Sequence, residues 1–236
     1  MPQRLAATLL ILATTAHASG IVRDIPDSAR QLVLVTADSW ASPNATVQCY
    51  ERSGGKWERT GSACAAQVGE RGLAWGLGLH RAPSDAAPRK REGDRRAPAG
   101  IFRITGAFGT LPRSGTGAIR LPYLALTGTH EAIDDPASLH YNRIVDRATA
   151  ARPDWRSSER MAASPHYILG LTIGHNPAHV PGAGSCIFIH AWIGERTGSP
   201  GCTLLHLPDL LRLARWLDPA RHPVLVQLPR SEARGF

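Results

Sequence analysis

The chain has 236 residues and a formal net charge of +8, from 27 Lys and Arg against 19 Asp and Glu. That length supports one good-sized core, and no stretch beyond the N-terminus is long and apolar enough for a transmembrane helix. The basic balance suits polyanionic surroundings or plain solubility; without an aromatic-basic repeat or a reader motif it argues against nucleic acid as a partner.

In chain order, Arg4 followed by the apolar run Leu5 to Thr15 and then Ala16-His17-Ala18 has the parts of a secretory signal peptide. Residues 1–18 are therefore expected to be removed, leaving a single exported domain over residues 19–236. Strand signals dominate that domain. Gln31 to Thr36 is a short apolar strand, and Ala45 to Glu51 with Lys56 to Thr60 predicts a hairpin around Ser53-Gly54-Gly55. Ala82 to Ala97, rich in Pro and charge, predicts a mobile surface loop. Further strands are expected at Ile101 to Ile104, Tyr123 to Thr127, Tyr167 to Ile173, Ser185 to His190 and Val224 to Leu228. Pro208 to Leu217 has Leu210, Leu211, Leu213, Ala214 and Leu217 at helical spacing, with Pro208 in the first turn and Pro219 beyond the end. Asp154 to Met161 is a weaker helix. Together these predict one mainly β domain with one or two short helices.

Export bears on the four cysteines, because an oxidising compartment permits disulfides. Cys49 and Cys64 flank the Gly54-Gly55 turn, so a bridge between them is one expectation. Cys186 and Cys202 lie in a different setting. Ser185 to His190 reads as a buried strand ending on a histidine, with Cys186, Phe188 and His190 on one face. Residues 191–201 then contain Gly194, Gly198, Pro200 and Gly201, so the chain turns back and brings Cys202 beside the imidazole of His190. A cysteine attacks a carbonyl as thiolate and needs a base or a positive field. Histidine has the pKa range for that base. Gly201 lets the backbone approach a substrate closely and aim an N–H at an oxyanion. A metal reading is weaker: the Cys-x3-His spacing of Cys186/His190 spans about 13 Å along a strand, too far for both to hold one zinc.

These residues resemble the L,D-transpeptidase catalytic domain of bacterial cell-wall enzymes, which carries a strand-borne His and then a Ser/Thr-x-Gly-Cys turn. His190 and Ser199-Pro200-Gly201-Cys202 match it. Val68 to Gly72, Arg91 to Phe102, His140-Tyr141-Asn142-Arg143 and Gly184 to His190 look like one branch of that family, and the similarity runs from about Gln31 to Pro229. Pro200 stands where many members have His, and Thr203-Leu204 where many have Arg or Asn, which places the chain in a divergent branch.

The resemblance implies a β-sandwich with a cleft, a periplasmic location and no metal or organic cofactor. The implied partners are peptidoglycan stem peptides. It also implies a mechanism: Cys202 attacks the carbonyl of the third stem residue, His190 takes the thiol proton and passes it to the leaving D-alanine, and the N–H groups of Gly201 and Cys202 hold the oxyanion. The acyl group then passes to an amine. Ser199 is expected beside the imidazole. Tyr141, Asn142 and Arg143 are expected to line the cleft and bind a stem carboxylate, with Trp192 as a wall. His175 and Asn176 are placed near its border, while Asp94 and Arg96 are expected to fix the loop entering the Ile101 strand. Two alternatives remain open from the residues: an L,D-carboxypeptidase or amidase with water as acceptor, and a non-catalytic wall-binding module with a Cys186–Cys202 disulfide.

Overall fold

Apolar residues alternate or run unbroken through most of the expected strands, and the computed structural model, which describes residues 20–81, 88–194 and 198–233, gathers them into one large sheet. The signal peptide expected at residues 1–18 lies outside the described residues. The strands of this sheet are β1 (Gln31–Ala37), β2 (Asn44–Ser53), β3 (Lys56–Gln67), β4 (Leu73–Trp75), β5 (Ala97–Gly109) and β6 (Tyr123–Ala125). Three short strands, β7 (His130–Ile133), β8 (Arg143–Asp146) and β9 (Glu159–Arg160), form a separate sheet. The large sheet resumes with β10 (Gly170–Ile173), β11 (Phe188–Ala191), β12 (Thr203–Leu205) and, after helix α1 (Leu207–Trp216), β13 (Val224–Pro229).

The ten-stranded sheet runs β10-β11-β12-β3-β2-β1-β13-β5-β4, with β6 paired to β5 off this path, and a further pairing of β5 with β10 closes it on itself. Closure removes the free edges that an open sheet would expose. The fold is mainly β, as expected, with one α-helix among the described residues, and its core is one large cluster plus a smaller one around Phe108, Tyr167, Phe188 and Cys202. β1 shows why: flanked by β2 and by parallel β13, it buries Leu32, Val33, Leu34 and Val35 on both faces, so its sequence is a continuous apolar run. The β2–β3 turn is Gly54-Gly55, both at positive φ (53° and 82°), the geometry that matches a two-residue hairpin to strand twist. Helix α1 lays Leu210, Leu213 and Ala214 into the same core, each burial of a leucine contributing about 1.5–3 kcal/mol. Its bounds differ from the expected Pro208 to Leu217 by one residue at each end.

The strand expected at Tyr167 to Ile173 begins only at Gly170, because Pro165–Ile168 is a 3-10 turn, and two further expected elements are corrected. Asp154 to Met161 is not a helix: residues 154–158 are irregular and lead into β9. Their polar groups are committed elsewhere, Trp155 Nε1 and Ser158 Oγ donating to Glu131 and the Arg156 N–H donating to Asp135. The Ala82 to Ala97 segment is not loose over its described residues 88–97. Asp94 accepts from Lys90 Nζ (2.5 Å) and from the N–H groups of Arg91 (2.8 Å) and Arg96 (2.9 Å), which folds the stretch against the sheet. Arg96 in turn donates to the carbonyls of Trp40 and Leu73, so Asp94 and Arg96 fix the entry to β5.

Glu131 in β7 organises the small sheet. Its buried carboxylate accepts from Arg147 Nε (2.7 Å) and Nη2 (3.1 Å), Trp155 Nε1 (2.7 Å) and Ser158 Oγ (2.7 Å), while the Arg147 guanidinium lies 4.6 Å from the Trp155 ring centroid. The Arg147 bonds, opposed by burial and helped by Ser158 and Trp155, hold Glu131 down from 4.5 to about 2. A depressed carboxyl contributes stability above its unfolded pKa and loses it as pH falls through the folded one. Glu131→Gln is expected to destabilise the fold by about 2–4 kcal/mol at pH 7. The gap to wild type, measured by denaturant unfolding, should shrink as pH falls from about 5 toward 2. A pH-independent gap would mean the carboxylate charge is not what holds the sheet.

Candidate active site

β11 and β12 run parallel, with Ile189 opposite Thr203 and His190 opposite Leu204. One residue before β12, Cys202 therefore falls level with Phe188, and the Phe188 N–H donates to Cys202 Sγ at 3.4 Å. His190 lies two residues beyond Phe188 on the same face. Strand spacing and rise put the Cα atoms of Cys202 and His190 roughly 8 Å apart on one side of the sheet. Both side chains line a cleft of about 360 Å³, together with Ser199, Gly201 and Trp192.

The strand expected from Ser185 is shorter than its sequence suggests. Cys186 has φ +51°, a left-handed conformation that ends the alternation, so β11 begins at Phe188. Asn142, itself at φ +62°, holds that bend by accepting from the Cys186 N–H (2.8 Å). Its amide donates to the carbonyls of His175 (3.2 Å) and Asn176 (2.9 Å). Cys186 still packs against the Phe188–Cys202 cluster, and its carbonyl accepts from Cys202 Sγ at 3.7 Å.

The turn before Cys202 is built by Ser199. Its hydroxyl donates to the Cys202 carbonyl (2.5 Å) and accepts from the Gly201 N–H (3.1 Å). Ser199 thus shapes the turn from within rather than orienting the imidazole, and the Gly201 N–H expected at an oxyanion is committed to it. What Gly201 does supply is room: a Cβ there would stand 3.3 Å from Ile187 Cδ1 and 3.8 Å from Lys90 Nζ. The group next to the His190 ring is a backbone carbonyl, with Nδ1 3.2 Å from Ala191 O. That contact assigns the proton to Nδ1 and leaves Nε2 as the basic nitrogen.

Electrostatics set the resting state. Burial raises the Cys202 thiol from 9.0 to about 12, opposed by the Phe188 N–H and the Lys90 charge. Burial lowers His190 from 6.5 to about 4. Near neutral pH the pair is a thiol and a neutral imidazole, and no hydrogen bond joins them among the described residues. Cys186 is buried and pushed well up as well. All four cysteines are free thiols in the structure, so neither the Cys49–Cys64 bridge nor a Cys186–Cys202 bridge is formed. Cys49 sits opposite Thr60 and Cys64 opposite Val47, across a register shift, and both line a pocket beneath α1.

Three expected cleft residues lie behind the site. Tyr141 is buried, its hydroxyl donating to Glu92 (2.6 Å). Asn142 and Arg143 border a second cavity of about 170 Å³ on the far side of the Cys186-Ile187 segment. Tyr141 and Asn142 commit their polar groups to a neighbouring loop and to backbone, while Arg143 is exposed. His175 and Asn176 are likewise internal braces. His175 Nδ1 accepts from the Leu77 N–H (3.3 Å) and Nε2 faces Ala183 O (3.0 Å), while Asn176 Nδ2 donates to Val180 O (2.9 Å) and Gly184 O (3.2 Å). Among the described residues, no three His, Cys, Asp or Glu side chains gather to hold a metal.

Other cleft residues had no signal in the sequence. Lys90, nearly buried, brings a fixed positive charge close to Gly201 and is paired with Asp94. Glu92 is held by Tyr141 and by Ser185 Oγ (2.8 Å). Glu159 accepts from Tyr167 OH (2.5 Å), and His166 lines the same wall. Trp192 does wall the cleft, its indole stacked on His206 at 4.4 Å, and its Nε1 is the one buried side-chain donor without a partner among the described residues.

No family model matches the chain, and no curated protein matches it. Among solved structures it is similar to the helical cell shape determining protein Pgp2 from Campylobacter jejuni, at 14% identity and a TM-score of 0.40, covering 84% of this chain and 47% of that one. A point mutant of Pgp2 matches at 15% identity and a TM-score of 0.41, covering 85% and 47%. The chain spans about half the length of those proteins. At this level of likeness a functional reading rests on the residues of the chain itself.

A thiol raised to about 12 carries little thiolate at pH 7. Alkylation of Cys202 by iodoacetamide, followed by peptide mapping, should run about a hundredfold slower at pH 7 than that of an exposed thiol. The rate should still be climbing at pH 10. A plateau below pH 7 would instead reveal a preformed thiolate–imidazolium pair.

Proposed function

We propose that this chain is a cysteine acyltransferase of the L,D-transpeptidase type, exported to the periplasm and acting on peptidoglycan stem peptides. The observation that carries the acyl-transfer chemistry is the placement of Cys202 and His190 on one face of adjoining parallel strands, inside one cleft. The substrate class comes from the motif resemblance around His190 and Ser199-Pro200-Gly201-Cys202.

In this reading the third stem residue presents its carbonyl to Cys202. The sulfur bonds to the carbonyl carbon as its proton moves to His190 Nε2, so no free thiolate has to persist in the buried site. The Cys202 N–H, with the nearby Lys90 charge, stabilises the oxyanion; one such donor is worth about 3–4 kcal/mol. The Gly201 N–H stays with Ser199, and Gly201 acts through the space it leaves. Collapse breaks the carbon–nitrogen bond, and His190 returns the proton to the departing D-alanine nitrogen. The resulting thioester is transferred to an amine. Trp192 forms a wall that fixes the donor stem.

Incubation of a disaccharide-tetrapeptide with the protein, read by mass spectrometry, is expected to show loss of D-alanine and a cross-linked dimer. Cys202→Ala should abolish both, by about a factor of 10³ or more, while leaving the unfolding midpoint within a few degrees. Tripeptide without dimer would assign water as the acceptor and make the chain an L,D-carboxypeptidase. Unchanged turnover in the alanine variant would end the proposal.

A further inference from the structure

Two imidazoles converge on one carbonyl oxygen in the cleft. His190 Nδ1 lies 3.2 Å from Ala191 O, and His166 Nδ1 lies 3.3 Å from the same atom. Their ring centroids are 5.7 Å apart at an interplanar angle of 64°. A carbonyl has two lone pairs and accepts from both N–H groups, so each ring carries its proton on Nδ1 and keeps a basic Nε2. Both residues line the wall that also holds Cys202.

The surroundings of the two rings differ. His190 is buried on β11 against Tyr167, whose ring centroid is 5.3 Å away. His166 is half-buried, in the turn Pro165–Ile168, and faces the acidic side of the cleft. There Glu159 on β9 and Asp134 beyond β7 line the same cleft; burial pushes the Glu159 carboxyl up, while the Tyr167 hydroxyl that donates to it and the His166 ring pull it down. An imidazolium at His166 shares its side of the cleft with the acidic side chains Glu159 and Asp134. One at His190 has no carboxylate among its described charge partners and is opposed by any positive charge on His166.

We propose that His166 is a second catalytic base, dedicated to removing the surplus proton of a cationic amine acceptor. The inference rests on the acyl-transfer reading above. Proton accounting shows the need. In the first half-reaction the thiol proton goes to His190 and then to the leaving nitrogen, so one base suffices. In the second, an acceptor R–NH3+ loses one proton to become nucleophilic and another as the new amide forms. His166 Nε2 takes the first, on the acidic side of the cleft, and releases it to solvent. His190 takes the second and returns it to the Cys202 sulfur as the thioester carbon–sulfur bond breaks. Water as acceptor arrives with no surplus proton, so hydrolysis does not need His166.

The test is the product ratio. Wild type and His166→Gln, which keeps a donor for Ala191 O but does not titrate, are given the disaccharide-tetrapeptide at neutral pH, and D-alanine, dimer and tripeptide are quantified. Each D-alanine released is matched by one dimer or one tripeptide, and the dimer-to-tripeptide ratio should fall about tenfold or more in the variant. Hydroxylamine, an acceptor unprotonated at neutral pH, should be acylated at similar rates by both proteins. His166→Asn repeats the test if the Gln variant loses its folded thermal transition. An unchanged ratio, or an equal loss of dimer, tripeptide and hydroxamate, overturns the inference while leaving the acyl-transfer reading in place. Failure of the wild type to release D-alanine contradicts that reading, and this inference falls with it.

Discussion

The parallel pairing of β11 with β12 is the constraint from which the cleft follows. Parallel neighbours cannot be joined by a tight hairpin, so the chain must travel back to the end at which β11 started. Residues 192–202 make that return. It carries Trp192 to the cleft wall, then sets the Ser199-Gly201 turn at the entrance to β12, level with Phe188. The register is pinned from the far side of β12. Thr203 Oγ1 donates to Gln227 of β13 (2.7 Å), Gln227 donates to the Pro98 carbonyl of β5 (2.9 Å), and Gln67 at the end of β3 accepts from the Gly198 N–H (2.6 Å). These buried polar groups have partners only in this register, and an unmade bond of that kind costs about 1–3 kcal/mol. A slip of β12 by one residue would turn Cys202 to the other face.

Burial gives the site its shape and also its resting electrostatics. The same enclosure that places Cys202 against Phe188 raises its thiol, and the enclosure around His190 lowers its imidazole. A neutral pair of this kind is protected from stray electrophiles and from oxidation, since both favour the thiolate. In the proposed reaction its reactivity is released by a substrate whose carbonyl accepts the sulfur as the proton leaves. The fixed charges are arranged around this pair. Lys90 stands at the Gly201 end, anchored by Asp94, while Glu159 and Asp134 stand at the other, carried by the small sheet that Glu131 holds together. The proposed donor carbonyl, developing negative charge, and acceptor amine, bearing positive charge, are complementary to opposite ends.

Much of the frame is legible in the sequence because one physical signal dominates each element. β1 and β13 carry unbroken apolar stretches, Leu32 to Val35 and Val224 to Val226, the β2–β3 turn is two glycines, and α1 shows helical spacing bounded by prolines. β5 is longer than expected because Pro98 and Gly100 look like breakers. Gly100 is used at φ +139° to let the His80 ring approach, and the Pro98 stretch pairs with short β4. The small sheet leaves no such signal, because it is held by one buried carboxylate and its partners rather than by an apolar pattern. In the site, Cys202, His190, Ser199 and Gly201 are close in sequence and were visible together. His166, Lys90, Glu92 and Glu159 come from separate loops, and only the closed sheet brings them to one cleft. Tyr141 and Asn142 show the converse: polar residues in a recognisable stretch whose hydrogen bonds turn inward, Tyr141 to Glu92 and Asn142 to the Cys186 bend.

The central claim is that Cys202 becomes acylated by the third residue of a stem peptide. The most direct test is acid-quenched intact mass spectrometry of the protein mixed with disaccharide-tetrapeptide, followed by digestion to locate the adduct. The account predicts a transient mass increase equal to the donor less D-alanine, on the peptide containing Cys202 and labile to hydroxylamine. An adduct on Cys186, or substrate turnover with no protein-bound intermediate in a sample whose Cys202 is a free thiol, would contradict it.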